Sequence, residues 1–181
     1  MIVYITGGAK NGKSALAQEL TVRLSEDRKH YYFATMIPTD GEDHARIRKH
    51  VADRNGMGFE TIECGRSVRS VLAKLEPESA VLFDSVTALL TNEMFRPENS
   101  YEADPDAGTR CIGDLCALAD NVKDLILVSD YIFSDAERYD VVTELYRRSL
   151  ADIDRALCER ADTVLELCAG NIIIHKGGLP E

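Results

Sequence analysis

Residues 2–14 read Ile2-Val3-Tyr4-Ile5-Thr6-Gly7-Gly8-Ala9-Lys10-Asn11-Gly12-Lys13-Ser14, an apolar run that breaks into glycines and ends on a lysine and a hydroxyl. Ile2 to Thr6 predicts a short strand, apolar on both faces and therefore buried inside a sheet that is covered on both sides. From Gly7 to Ser14 the chain fits G-x-x-x-x-G-K-[ST] at every position. Glycines at these places permit positive φ and let backbone N–H groups curl around an anion. A helix beginning near Gly12 adds its positive dipole end. Lys13 can then reach the β- and γ-phosphates of a nucleotide, and the Ser14 hydroxyl can ligate Mg²⁺. Gly7, Gly8, Ala9, Lys10, Asn11, Gly12, Lys13 and Ser14 thus form the candidate phosphate loop, with Lys13 also a candidate catalytic group.

The rest of the chain supplies the sheet this loop requires. After a helix predicted over Lys13–Ser25, strands are expected at Tyr31–Ala34, Glu60–Cys64, Ala80–Asp84, Leu125–Val128, Val164–Cys168 and Ile172–His175. Between them, helices are expected over Asp40–Arg54, Val68–Leu75, Cys111–Val122 and Glu137–Ala161. Pro97–Gly108, rich in Pro, Asn, Glu, Asp and Gly, reads as a loop able to shield a site. Strands alternating with helices imply an α/β fold of the P-loop type, a mostly parallel sheet with helices on both faces. The expectation is one domain over residues 1–181.

Composition narrows the partners. Thirty-one acidic residues against 21 basic ones give a net charge of -10, which repels nucleic acid and anionic membrane while leaving a local basic pocket for phosphorylated small molecules. No apolar stretch approaches the roughly 20 residues of a membrane span. The five cysteines include no C-x-x-C pair, and most lie among apolar residues. They read as buried thiols in a reducing compartment, the cytoplasm.

Two further constellations carry chemistry. P-loop proteins hold their metal with a carboxylate at the end of a neighbouring strand, and Asp84, closing Ala80–Asp84, is the candidate for it. Arg46, His50 and Arg54 are spaced four apart and share one face if they lie on a helix. Positive neighbours disfavour a protonated imidazole, a neutral ring nitrogen can attack phosphorus, and flanking arginines can hold phosphates. His50 is the candidate nucleophile. His44 reads as surface.

With the loop, Ala45-Arg46-Ile47-x-x-His50 and Asp84-Ser85-Val86-Thr87-Ala88-Leu89-Leu90-Thr91-Asn92 together, the sequence resembles the bifunctional adenosylcobinamide kinase/adenosylcobinamide-phosphate guanylyltransferase family over nearly its whole length. The opening follows the family's T-G-G-x-x-S-G-K-S. Arg46, Ile47, His50 and Arg54 meet R-I-x-x-H-x-x-x-R, with one further residue before Arg54 than in some members. Glu63 and the D-x-x-T-x-x-x-x-N element at Asp84, Thr87 and Asn92 also fit. The resemblance implies phosphorylation of adenosylcobinamide by ATP or GTP, then transfer of GMP from GTP through a guanylylated His50. It also implies Mg²⁺, a corrinoid substrate, nucleotide contacts from Arg46, Arg54 and Glu63, and a homo-oligomer. It breaks where the family carries N-E-V-G-x-G, since this chain has Asp130-Tyr131-Ile132-Phe133-Ser134-Asp135. It breaks again at a G-x-x-N element that reads Ala151-Asp152-Ile153-Asp154. Asn to Asp exchanges a donor for a charge. Two other readings stay open on the residues: a kinase alone, acting on another small alcohol, and a nucleotide-binding regulatory protein without catalysis.

Overall fold

The computed structural model describes residues 1–39 and 41–180; of Glu42, Arg46 and Asp53 it describes the backbone only. Seven strands form one sheet in the order β3-β2-β4-β5-β1-β6-β7. They are β1 (Ile2–Gly7), β2 (His30–Ala34), β3 (Glu60–Glu63), β4 (Ala80–Asp84), β5 (Asp124–Val128), β6 (Thr163–Cys168) and β7 (Asn171–Lys176). All neighbouring pairs are parallel except β6 with β7, which form an antiparallel hairpin at one edge.

The central strands are apolar on both faces because both faces are covered. On one side Val3, Ile5, Leu82, Ile126 and Val128 pack with Ala17 and Leu20 of helix α1 (Lys13–Ser25). Helix α2 (Gly41–Asp53) links β2 to β3; Asp40, where the sequence places its start, lies outside the described residues. On the other side, Tyr4, Phe33, Phe83, Leu125 and Leu127 pack under three helices, α3 (Val86–Met94), α4 (Ala107–Asn121) and α5 (Val141–Arg160).

The elements depart from the sequence expectations in four places. Val86–Met94 is a helix that the sequence reading passed over, although Val86, Leu89, Leu90 and Met94 are buried along it and the Ser85 side chain caps its start by accepting from the Ala88 N–H. The expected helix over Val68–Leu75 is instead a 3-10 segment, Val68–Lys74. The expected loop Pro97–Gly108 holds a 3-10 turn at Pro97–Asn99, and α4 already begins at Ala107. The last helix starts at Val141 rather than Glu137, because Asp140 accepts from the Val142 and Thr143 amides and fixes the first turn there.

Candidate functional site

In a parallel sheet of this kind, ligands bind beyond the carboxyl ends of the strands, and the predicted phosphate loop emerges there from β1. Gly7, still within β1, has φ +144°, and a Cβ on it would lie 2.4 Å from the Leu167 carbonyl oxygen of neighbouring β6. Only glycine fits a backbone so close to its neighbour. Gly12 sits in the left-handed region at φ 89° and turns the chain into α1 without a side-chain cap or an acidic residue in the first turn. The helix therefore presents its N-terminal amides to the loop uncompensated.

Lys13 is only 6% exposed. Its Nζ donates to the Gly8 carbonyl at 2.8 Å and pairs with Asp130 Oδ1 at 2.8 Å. Asp130 follows Ser129 at the end of β5, the strand that lies between β1 and β4. Two backbone bonds seat this segment on the loop. The Asp130 N–H donates to Thr87 Oγ1 at 3.0 Å, and the Tyr131 N–H donates to the Gly7 carbonyl at 3.0 Å.

Asp84 ends β4, level with Ala34 of β2 and Val128 of β5. Its Oδ2 accepts from the Tyr32 hydroxyl at 3.0 Å. Burial, and then the adjacent Asp84 charge, hold the Tyr32 phenol well above its ordinary range, so it remains a donor. The D-x-x-T-x-x-x-x-N element has a local logic. Asp84 closes the strand, Thr87 anchors the Asp130 amide, and the Asn92 amide bridges the Thr35 and Gly65 carbonyls at 2.8 and 3.0 Å. Glu63 is the exposed last residue of β3, paired in register with Ala34.

The arginine stripe is arranged differently from its sequence spacing. Helix α2 ends at Asp53, so Arg54 lies just beyond it. Arg54 is 8% exposed, its guanidinium 3.9 Å from the Tyr32 ring centroid and donating to Thr61 Oγ1 at 3.2 Å. It is folded against β2 and β3 rather than aligned with His50 on a helix face. A cavity of about 440 Å³ opens beside it, lined by Val51, Asn55, Gly56, Gly58, Phe59 and Thr61. His50 is half-buried on α2, and no hydrogen bond among the described residues ties it to the loop or to Asp84. The Arg46 side chain lies outside the described residues.

Sequence reasoning passed over Asp130 and Asp154 as site residues, although both are places where the chain substitutes Asp for the Asn of the family it resembles. Asp154, on α5, accepts from the Tyr4 hydroxyl and from Ser129 Oγ, the latter at 3.1 Å. Burial pushes its carboxyl up to about 6, against the lowering effect of those two hydrogen bonds, with the Asp130 charge adding to the rise.

Lys13, Asp84 and Asp130 thus converge at the ends of β1, β4 and β5, under a glycine loop and a helix N-terminus. Together these features define a P-loop α/β fold of the nucleotide-binding type. A family model described as "Cobinamide kinase / cobinamide phosphate guanyltransferase" matches residues 3–174, and the chain belongs to that family. It is 34% identical over 96 residues to the bifunctional adenosylcobalamin biosynthesis protein CobU of Salmonella typhimurium, a match covering 52% of this chain and 51% of that one. The match to the CobU protein of Escherichia coli likewise spans only 56% of that relative, at 32% identity over 59% of this chain. It is 27% identical over 175 residues to the bifunctional adenosylcobalamin biosynthesis protein CobP of Pseudomonas aeruginosa, covering 96% of each. Among solved structures, one described as an ATPase domain aligns with a TM-score of 0.59 at 13% identity, over 97% of this chain and 76% of that one. The KaiC-like protein PH0186 of Pyrococcus horikoshii gives 0.51 at 14% identity, over 97% and 78%. At such identities these two likenesses speak to the fold alone. Among the described residues, no helix is long and apolar enough to cross a membrane.

Proposed function

We propose that this chain phosphorylates the aminopropanol hydroxyl of adenosylcobinamide with a nucleoside triphosphate, and then transfers GMP from GTP to the product through His50. The observation that carries the reading is a complete phosphate loop, with Lys13 buried at its centre, in a chain that its family model spans from residue 3 to 174. In the first reaction the loop amides and Lys13 hold the β- and γ-phosphates, and the substrate hydroxyl attacks the γ-phosphorus as the bond to the β,γ-bridging oxygen breaks. Positioning and charge neutralisation supply most of the catalysis.

Mg²⁺ suits the oxygens available. It keeps several waters and is commonly held by one or two protein oxygens plus substrate phosphates. Asp84 has Oδ2 taken by Tyr32 and Oδ1 left for such a role, and Ser14 lies in the first turn of α1 beside the loop. These two residues would hold the ion, which neutralises charge developing on the phosphates.

In the second reaction a His50 ring nitrogen attacks the α-phosphorus of GTP and releases pyrophosphate. A phosphate oxygen of the phosphorylated corrinoid then displaces the histidine. Arg46, Arg54 and Glu63 are assigned to nucleotide contacts in this step, and Arg54 must come away from Tyr32 to make its own. Because His50 has no bond to the loop of its own chain among the described residues, we assign the protein to a homo-oligomer in which α2 of one copy serves a neighbouring copy. We place this one-domain protein in the cytoplasm, with corrinoid and nucleotides rather than nucleic acid as partners.

Incubation with GTP labelled in its α-phosphate tests the guanylyl half. Acid-labile, alkali-stable label on the wild type that is absent from His50→Ala is the expected result; no label on the wild type sinks it. Because no hydrogen bond among the described residues joins His50 to the loop, one other reading stands beside it, a kinase without guanylyl transfer. That reading predicts phosphorylation that tolerates His50→Ala but not Lys13→Ala, with no label in either protein.

A further inference from the structure

The ion pair between Lys13 and Asp130 has a meaning beyond neutralising a buried lysine. Asp130 stands at the end of β5, and β5 is the strand between the one that carries the phosphate loop and the one that ends in Asp84. Val128 is level with both Ile5 of β1 and Asp84 of β4. Asp130, two residues further along, reaches the phosphate loop, where it pairs with Lys13. In a P-loop the lysine ammonium contacts the β- and γ-phosphates, and Asp130 Oδ1 is 2.8 Å from that ammonium. This puts the carboxylate one ammonium away from the phosphoryl group that is transferred. Asp130 is also open to an incoming molecule, with 38% of its side chain exposed, whereas Lys13 is 6% exposed.

We propose that Asp130 is the general base of the phosphoryl transfer. The assignment rests on the kinase half of the reading above. When a triphosphate occupies the loop, Lys13 turns to its β- and γ-oxygens and Asp130 loses its partner. The backbone of Asp130 stays in place, because Thr87 holds its N–H and Gly7 holds that of Tyr131. The carboxylate is then left beside the γ-phosphoryl. Negative charge arriving next to a carboxylate favours its taking up a proton. The acceptor hydroxyl supplies that proton: its oxygen bonds to the γ-phosphorus, the bond to the β,γ-bridging oxygen breaks, the nucleoside diphosphate leaves, and the hydroxyl proton passes to Asp130. Lys13 balances the carboxylate before the nucleotide binds and the phosphates afterwards. Asp154 and Tyr146, from α5, both feel the Asp130 charge, and Lys13 of α1 pairs with it.

The experiment compares wild type with Asp130→Asn and Asp130→Ala. It measures transfer to cobinamide, hydrolysis of the same nucleotide by water, and nucleotide binding by calorimetry. Asp130→Asn should lower kcat for transfer about a hundredfold, as expected for loss of a positioned base. Its nucleotide affinity should hold or tighten, because a competitor for Lys13 has been removed; this also shows that the variant is folded. Adding formate to Asp130→Ala, a small carboxylate able to enter the truncated site, should restore part of kcat. The assignment is overturned if Asp130→Asn keeps the wild-type kcat while binding nucleotide more tightly, which would make Asp130 a latch on Lys13 and no more. It is also overturned if Asp130→Ala is inactive and formate restores nothing. If the wild type transfers nothing to cobinamide but hydrolyses nucleotide in an Asp130-dependent, formate-rescued way, the corrinoid substrate fails and the base assignment stands.

Discussion

The two regions read as functional differ in how they are built. The phosphate loop is backbone architecture: its shape comes from Gly7 pressed against Leu167, Gly12 turning into α1, and two buried strands, β5 and β6, flanking β1. The second region, around His50 and Arg54, depends on side chains at and just past the end of a helix, and there Arg54 does not stay on the helix face as its spacing implies. A loop formed by strand ends exists as soon as the sheet does. A helix-borne constellation forms only if every side chain points the same way, and Arg54 instead lies on Tyr32, whose hydroxyl donates to Asp84. The first region is organised by backbone within one chain; in the second, Arg54 is held by Tyr32 and Thr61.

The sharpest way to break this contrast is Lys13→Ala. It removes the buried cation that the loop offers to phosphate, and should lower kcat/KM for both proposed reactions about a thousandfold, toward the upper end of what one transition-state contact supplies. Steady-state assays of each half-reaction check it; a loss confined to one half would mean the two reactions do not share this loop. His50→Ala comes next. It should abolish covalent guanylylation while phosphoryl transfer persists, so that the two regions come apart experimentally. Mixing His50→Ala with Lys13→Ala then asks whether the regions meet between copies. Recovery of label in the mixture is expected if α2 of one chain serves the loop of another, and no recovery if each chain serves itself.

Gly7→Ala tests the backbone side of the contrast with a smaller effect. A methyl there meets the Leu167 carbonyl oxygen at 2.4 Å in a conformation that L residues rarely adopt. The strain expected is about 1–3 kcal/mol, or a fall in Tm of several degrees at roughly 2–4 °C per kcal/mol for a chain of this size. Thermal unfolding with and without nucleotide measures it. The ligand-induced rise in Tm should shrink as well, because the loop amides move with Gly7.

What could be read from the sequence follows the same division. The central strands were legible because continuous apolar runs bounded by glycine or polar residues have few alternatives in an α/β chain. The loop was legible because its chemistry is local. Helix α3 was missed because Asp84–Asn92 was read for its motif, when Val86, Leu89, Leu90 and Met94 also mark a buried helical face. The premature start expected for α5 ignored Asp140, whose carboxylate competes for the first-turn amides. The Lys13–Asp130 pair had no local signal, since it joins the start of α1 to the segment after β5, far apart in sequence; only the exchange of Asn for Asp hinted that charge mattered there. The direction of Arg54 could not be read either, because α2 stops one residue too early to keep it on the helix face.

Beneath the loop, Asp154 gives the finest test of that organised edge. It is a carboxylate sunk between β1, β5 and α5, bonded to Tyr4 and Ser129. Burial pushes its pKa up to about 6 from an ordinary 3.8. The folded protein therefore keeps a proton on Asp154 that the unfolded chain has already released between about pH 4 and pH 6. Stability contributed by this proton is fully present below pH 4, falls as pH rises through that window, and is gone above it. The shift is worth at most about 3 kcal/mol. Asp154→Asn keeps an oxygen to accept from Tyr4 and Ser129 but carries no charge to bury. It should match the wild type near pH 4 and exceed it at pH 7 by up to about 2–3 kcal/mol, read from urea midpoints at a series of pH values. Carboxylates such as Asp104 and Asp140, whose pKa values are lowered by hydrogen bonds to backbone amides and neighbouring side chains, tilt both proteins the other way at lower pH, so the difference between the two curves is the quantity to follow. Curves that stay parallel from pH 4 to 7 would mean that Asp154 is ionised in the fold, and the edge beneath the phosphate loop would then be wetter than its burial implies.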